Sequence, residues 1–457
     1  MIGTIAGELR TLTNCDVHEP GDTGYDDCRT LFNAAIDRHP AAVVRPVGVA
    51  DIIAAVTFAR DRGLPLSIRS GGHSAAGWSI CDGGIVLDMR SIDDVDIDPD
   101  ARTARVGGGC LTAKLDRASQ EHGLAAVTGR VSTTGMAGFT LGGGSGMLER
   151  QYGFAVDNLL SVDLVTAAGD LITADDTTHS ELFWALRGGG GNFGVVTAMT
   201  FRLHPMPPVV TGGLMLWPAE QAPALLRHLR EVMTDAPAHV AVWAAYLYGP
   251  DDDSVPEHLR NRLGVVVNVA HTGSPGTAER DLAPLRSFAA PDADWVEETT
   301  WADLQCAIDD PPGYRNYMTS DHLTDLTDEA IDVIHEHAQS LPFGPGWIVL
   351  FNWGGAVTQP PSPTPIDNRD ARWVVHPGVF WEDPAMDAEV GEWVRTFRAA
   401  IGPHTTGAVW LNWIGDEGEA RVRAAFGEDN HRRLRAVKQL YDPANLFRAN
   451  HNVAPQA

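Results

Sequence analysis

Four glycine clusters fall within a stretch of about 120 residues: Gly71-Gly72, Gly107-Gly108-Gly109, Gly142-Gly143-Gly144 with Gly146, and Gly188 to Gly191. Glycine has no Cβ, so its backbone can turn N–H groups inward and approach an anion or another backbone closely. A single cluster marks a plain turn as readily as a ligand. Four in succession suggest a chain wrapped around a long, phosphate-bearing molecule. Neither common phosphate fingerprint is present. There is no GxxxxGK followed by Ser or Thr, and no GxGxxG between a strand and a helix with an acid about 20 residues on. The expected binder is therefore neither a P-loop protein nor an ordinary Rossmann domain.

The 457 residues exceed the usual size of one domain, and hydrophobic periodicity divides them into three regions. In the first, residues 1–205, short βα units dominate. Ile52 to Arg62 has helical spacing, Leu66 to Arg69 is a strand running into the Ser70–Ser74 loop, and Leu111 to His122 is a helix stopped by Gly123. The second, residues 206–407, has longer aromatic-rich strands: Val240 to Tyr248, Gly264 to Ala270, Trp347 to Trp353 and Val374 to Trp381. Helical stretches such as Ala219 to Met233, Thr327 to Gln339 and Ala388 to Ala400 separate them. The expected fold is α+β, with an antiparallel sheet backed by helices. The third, residues 408–457, returns to motif-like sequence ending in YDPANLFRANHNVAP.

The net charge of -26 argues against nucleic acid and anionic membranes as partners, because both demand clustered Lys and Arg. Lysine occurs only at positions 114 and 438. That bias fits a salt-rich cytoplasm or a GC-rich genome alike. No apolar run reaches the roughly 18 residues of a membrane span. Met1 to Arg10 lacks the basic-then-apolar pattern of a secretory signal, so a cytoplasmic location is expected. Cys15, Cys28, Cys81, Cys110 and Cys306 form no CxxC pair and no Cys/His metal spacing. Free thiols and no metal are expected.

Four stretches, IRSGGHS (68–74), STTGMAGFTLGGGSG (132–146), YGFAVDNL (152–159) and RGGGGNFGVVT (187–197), together with the C-terminal motif, resemble the FAD-linked oxidases of the vanillyl-alcohol-oxidase superfamily, within its berberine-bridge-enzyme-like group. The resemblance spans nearly the whole chain. It implies a two-part FAD-binding domain, formed by the first and third regions, and a substrate domain formed by the second. It also implies roles for the matched residues. His73 would bond covalently to the flavin 8α-methyl. Arg69, Ser70, Gly71, Gly72 and Ser74 would form the pyrophosphate loop. Gly129, Thr133, Thr134, Gly138, Gly142, Gly143, Gly144 and Gly146 would line the flavin and its ribityl-phosphate chain. Val196 would meet adenine through its backbone, and Asn450 and Asn452 would close over the isoalloxazine. The chemistry agrees, since a neutral imidazole nitrogen is a competent nucleophile toward an activated methyl group.

Two positions depart from the family pattern. Doubly linked relatives carry a cysteine in a GxCxTxG-like segment. The matching stretch here is Gly129-Arg130-Val131-Ser132-Thr133-Thr134-Gly135, and Val131 offers no nucleophile, so one histidyl link is expected. Relatives also often have a Tyr two residues before an Asn over the flavin. Here the match is Trp410-Leu411-Asn412, and an indole cannot serve as a phenolate base.

The expected activity is an FAD-dependent oxidase acting on a small organic substrate, aromatic or from secondary metabolism. Hydride would pass to flavin N5, and molecular oxygen would be reduced to hydrogen peroxide. Tyr246 or Tyr317 is the candidate base, with Thr134 near the flavin edge and Asn412 over the ring. His376 is a further polar candidate. A flavin-dependent oxygenase or cyclase is the second reading, separable by labelled oxygen. A non-catalytic flavin-binding protein is the third, and it would show slow flavin reduction by every substrate. A monomer or homodimer is expected.

Overall fold

The computed structural model describes residues 4–274, 276–342 and 344–456. Outside them lie the first three residues of the Met1–Arg10 segment and the outermost ends of the first and last regions. The fold is α+β, and three sheets carry it.

The first sheet has four strands in the spatial order Asp16–His18, Ala42–Arg45, Ile85–Asp88, Leu66–Arg69. The last three run parallel. The connection between Ala42–Arg45 and Leu66–Arg69 is the helix Val49–Arg62. Its Ile52, Ala55, Val56 and Ala59 recur at i, i+3, i+4, i+7 and are fully buried. Gly63 stops it in the left-handed region at φ 62°. The second sheet has five antiparallel strands, ordered Val95–Asp98, Thr103–Gly107, Val195–Arg202, Leu159–Val165, Leu171–Asp175.

The third sheet has nine strands, antiparallel throughout. Its centre is Val240–Tyr248, Trp347–Asn352 and Trp373–Trp381. Successive side chains in these strands point to opposite faces. One face carries Tyr246, Ile348, Leu350, Val375 and Val379 and packs on the helices Ala222–Asp235, Asp328–Ala338 and Asp387–Ile401. The other carries Trp243, Trp347, Val349, Phe351 and Val374 and packs on Phe154, Val156 and Trp410 from the glycine-rich and C-terminal segments.

After the sheet the chain rejoins the first region. Val409, Leu411, Ile414, Phe426, Leu434 and Val453 share one core with Phe139, Phe183 and Phe193. The final turn is fixed by Lys438, which is fully buried. Its ammonium donates to the carboxylate of Asp442 at 2.7 Å and to the carbonyls of Asn192 and Phe447 at 2.7 and 2.9 Å. All three ammonium protons are thereby satisfied. Asp442 also accepts from the backbone of Leu446 and Phe447, so the DPANLF motif is a folded clasp on the Gly188–Asn192 loop.

Candidate functional site

The glycine loops converge on His73. The Ser70–Ser74 loop lies backbone against backbone on the 133–135 segment. A Cβ at Gly71 would stand 2.4 Å from the Gly135 nitrogen, and one at Gly135 would stand 2.3 Å from the Gly71 nitrogen. Gly72 is in the left-handed region at φ 79°. Ser70 Oγ donates to the Gly108 carbonyl at 2.9 Å, tying in the third loop. His73 Nε2 sits 2.8 Å from the Thr133 hydroxyl, and its ring stacks on Phe32 at 4.3 Å. Burial pushes the His73 pKa down to about 4, so the imidazole is neutral and keeps a lone pair.

Polar atoms left without partners mark where a ligand belongs. Among the described residues, the side-chain oxygens of Asn412, Asn450 and Asn452 and the Arg69 Nε are buried and unpaired. Arg69 itself is buried, and desolvation lowers its pKa to about 10. Asn412 donates its amide to the Phe139 carbonyl at 3.1 Å, and Asn450 donates to Phe447 at 3.0 Å. Each thereby fixes its amide and leaves the side-chain oxygen unpaired, with that of Asn412 beside Gly142. A Cβ at Gly138 or Gly191 would meet nothing within 4 Å. These features fit a long polar cofactor lying along the loops.

Other glycines in the clusters answer to protein packing. A Cβ at Gly107, Gly108 or Gly109 would strike the carbonyl of Ile92, Val196 or Met89. Gly142 makes room for Asn412, Gly143 for Trp410, Gly144 for Ala155 and Gly146 for the Thr128 carbonyl. Gly129 rests on Phe139, and Val196 is a buried strand residue with its carbonyl against Gly108. Ser74 Oγ accepts from the Trp78 backbone at 3.2 Å, and Thr134 is half-buried with its carbonyl accepting from Thr112 at 2.9 Å.

The two tyrosines read as candidate bases are not at this site. Tyr246 is fully buried on the helix-facing side of the large sheet, and its hydroxyl shares a hydrogen bond of 3.1 Å with His335 Nδ1 on the helix Asp328–Ala338. Burial pushes its pKa up, away from any phenolate role. Tyr317 pairs with Val379 and packs on the same helix-facing core. Tyr246 is thus sealed against the helices, and Tyr317, half-buried, lies on the same side of the sheet.

The opposite face holds His376, the further polar candidate, together with charged groups that the sequence reading did not connect to it. Trp347, Phe351 and Trp413 surround His376, at ring separations of 4.7, 6.1 and 4.8 Å. Arg130 lies 4.3 Å over the Phe351 ring and pairs with the buried Glu149 at 2.8 Å. Asp310 accepts from the Trp347 indole at 3.3 Å, and burial raises its carboxyl to about 6. Asp309 accepts from the Ser132 backbone at 2.6 Å, next to the His73–Thr133 pair. Apart from Arg130, which lies in the Gly129–Gly135 stretch, none of these belongs to a quoted motif, so only the fold assembles them. The fold also gathers a group at metal-like spacing that no sequence pattern announced. His239, His271 and Asp281 present ligand atoms within 4.8 Å of one another, and both rings lie within hydrogen-bond distance of the one carboxylate oxygen.

Known proteins match this arrangement. Residues 40–175 match the FAD binding domain family, and residues 409–454 match the berberine and berberine-like family. The chain is 32% identical over 454 residues to (R)-6-hydroxynicotine oxidase of Paenarthrobacter nicotinovorans, covering 96% of this chain and 97% of that one. It is 28% identical to xylooligosaccharide oxidase of Thermothelomyces thermophilus, covering 91% and 87%. The crystal structure of 6-hydroxy-D-nicotine oxidase from Arthrobacter nicotinovorans superposes with a TM-score of 0.88 at 30% identity, over 97% of this chain and 98% of that one. The BBE-like 1 protein of Physcomitrella patens shares the fold, at a TM-score of 0.88 and 23% identity over 98% of each chain. The loops around His73 and the C-terminal clasp are thus those of an enzyme, and the chain belongs to the FAD-linked oxidoreductases of the berberine-bridge-enzyme-like group of the vanillyl-alcohol-oxidase superfamily.

Proposed function

We propose that this oxidoreductase carries FAD through a single covalent bond from His73, and that it oxidises a small organic substrate with an aromatic or secondary-metabolite skeleton, with oxygen as acceptor. The observation that carries this reading is the neutral, half-buried His73 ring set beside Thr133 where the glycine loops meet. Ser70 to Ser74 and Arg69 would hold the pyrophosphate, Thr133, Thr134 and Gly138 the flavin edge, the Val196 backbone the adenine, and Asn450 and Asn452 the ring from above. Bound FAD supplies a two-electron acceptor for a substrate C–H bond and passes the electrons to oxygen, giving hydrogen peroxide.

The chain's own residues do the rest. Val131 leaves the flavin without a second tether. The aromatic walls Trp347, Phe351 and Trp413 suit a flat, apolar substrate surface, with ring stacking to orient it. They also exclude water, which strengthens every polar contact inside. The relatives' printed activities, on a hydroxynicotine and on xylooligosaccharides, support a small-molecule or oligosaccharide substrate.

The test is acid precipitation followed by peptide mapping. Yellow precipitated protein with one flavinylated peptide spanning Ser70 to Ser74 is the expected result. A colourless, folded protein made with ample riboflavin, or a flavin adduct on any cysteine, overturns the reading. Anaerobic bleaching of the flavin against a substrate panel then identifies the substrate, and oxygen-18 incorporation into product would point instead to an oxygenase.

A further inference from the structure

The sheet face that meets the glycine loops holds two buried imidazoles that the flavin-binding motifs do not account for: His322, packed on Trp353 with neither ring nitrogen hydrogen-bonded, and His376, whose ring is oriented by a hydrogen bond. His376 lies in the strand Trp373–Trp381 and is 4% exposed. Its Nδ1 is 2.7 Å from the Thr319 carbonyl oxygen. A carbonyl can only accept, so the ring's proton is on Nδ1 and Nε2 carries a bare lone pair. The same bond fixes the ring's orientation. Trp413 stacks on it at an interplanar angle of 16°, and Trp347 closes the other side. Trp413 adjoins Asn412, whose amide is anchored on the helix Met136–Leu141 of the STTGMAGFTLGGGSG stretch. The imidazole therefore sits in the layer between the sheet and the flavin loops.

We propose that His376, through Nε2, is the proton acceptor for the oxidised substrate, which is an alcohol, hemiacetal or amine presenting an O–H or N–H beside the reacting carbon. This rests on the FAD-dependent oxidation proposed above. For an alcohol, the O–H bond breaks, its proton passes to Nε2 and its electron pair forms the carbonyl π bond. The neighbouring C–H hydrogen leaves with its two electrons to the oxidised cofactor. Reduction of oxygen to hydrogen peroxide then consumes those electrons, that hydrogen and the imidazolium proton, and the ring returns to neutral.

The ring's surroundings decide how this base behaves. Arg130 is the charged group that faces it, itself paired with Glu149; Trp347, Phe351 and Trp413 are aromatic neighbours, and the Thr319 carbonyl holds Nδ1. Burial, reinforced by Arg130, lowers the His376 pKa to about 3. Such an imidazole is free of protons throughout the physiological range. It is a weak base at rest, but the substrate O–H becomes that of a protonated carbonyl as the C–H bond breaks, and a weak base then suffices. The rival is Asp310, whose carboxyl titrates near pH 6 and would impose that ionisation on the rate.

The experiment compares the wild-type holoenzyme with the His376→Gln and Asp310→Asn holoenzymes. Flavin bleaching rates are followed from acid to alkaline pH with the substrate found in the panel, and nitrogen-15 NMR of the wild type reads the imidazole tautomers. The expected results are a wild-type rate with no ionisation near pH 6, and a His376→Gln rate lower by roughly 10²–10⁴-fold. Flavin content should be unchanged in that variant, and one histidine should stay neutral with its proton on Nδ1. An acid limb near pH 6 that Asp310→Asn removes, a His376→Gln enzyme as fast as wild type, or a proton on Nε2 overturns the proposal. A wild-type flavin that no panel member bleaches defeats the oxidase reading instead, and the tautomer measurement still decides His376.

Discussion

The two faces of the nine-stranded sheet are built from alternate residues of the same strands, and they could hardly differ more. In Trp373–Trp381, residues 373, 375, 379 and 381 enter an apolar core against three helices. Residues 376 and 380 of the same strand meet Trp347, and through Phe32 the line continues to His73. The helix face is largely apolar and its polar groups are paired: Tyr246 with His335, Tyr248 with the Leu341 carbonyl, Trp381 with Asp387, and His271 at the sheet's edge with Asp281. The loop face carries an ion pair, a carboxyl with raised pKa and an imidazole with a free lone pair. Buried polar groups cost stability, so their concentration on one face marks where the fold gives up stability for chemistry.

The comparison can be broken from either side. The largest effect is expected at the loops: His73→Ala should lose all acid-stable flavin, releasing FAD to the supernatant while the fold and some non-covalent binding persist. Acid-stable flavin remaining in that variant would mean another residue forms the bond.

On the helix face, Phe397→Ala removes a fully buried ring of the helix Asp387–Ile401 and should cost about 3–5 kcal/mol. Urea unfolding measures this. Below its melting range the variant should bleach its flavin at the wild-type rate; a slowed rate would show that the faces communicate.

The seam between regions offers a pH test. Asp116 is buried beside Thr128, Trp301 and Gln305, and burial raises its carboxyl to about 7. An unfolded aspartate titrates near 3.9, so between about pH 4 and 7 the folded protein holds a proton the unfolded chain has lost. Stability should therefore fall as pH rises through that window, by up to about 1.4 kcal/mol per unit. Asp116→Asn should flatten the fall, seen by denaturant titration at a series of pH values. Equal pH dependence in both proteins would place the proton elsewhere.

The smallest effect belongs to Tyr246→Phe, which deletes the hydroxyl that meets His335. A loss of about 1 kcal/mol with unchanged flavin reduction is expected. A slower reduction would return this residue to the chemistry and erase the distinction between the faces.

The FAD-binding loops were legible because their motifs are contiguous, each written in one short run, as is the valine at position 131. The α+β fold followed from alternation and helical periodicity, and Val240–Tyr248 is a strand at the residues its pattern marked. The glycine clusters were only half legible. Gly138 and Gly191 face open space, whereas Gly71, Gly107 to Gly109 and Gly146 are small because neighbouring backbone is close. Sequence cannot separate these causes, since both require the same missing Cβ. Period-2 alternation likewise stated which side chains share a face but not which face meets the flavin loops. That choice depends on where three helices, distant in sequence, come to pack. The tertiary structure alone therefore placed Tyr246 and Tyr317 on the helix side and brought Arg130, Asp310 and His376 together from three separate segments, because burial and proximity across such distances are properties of the packed chain and leave no local pattern.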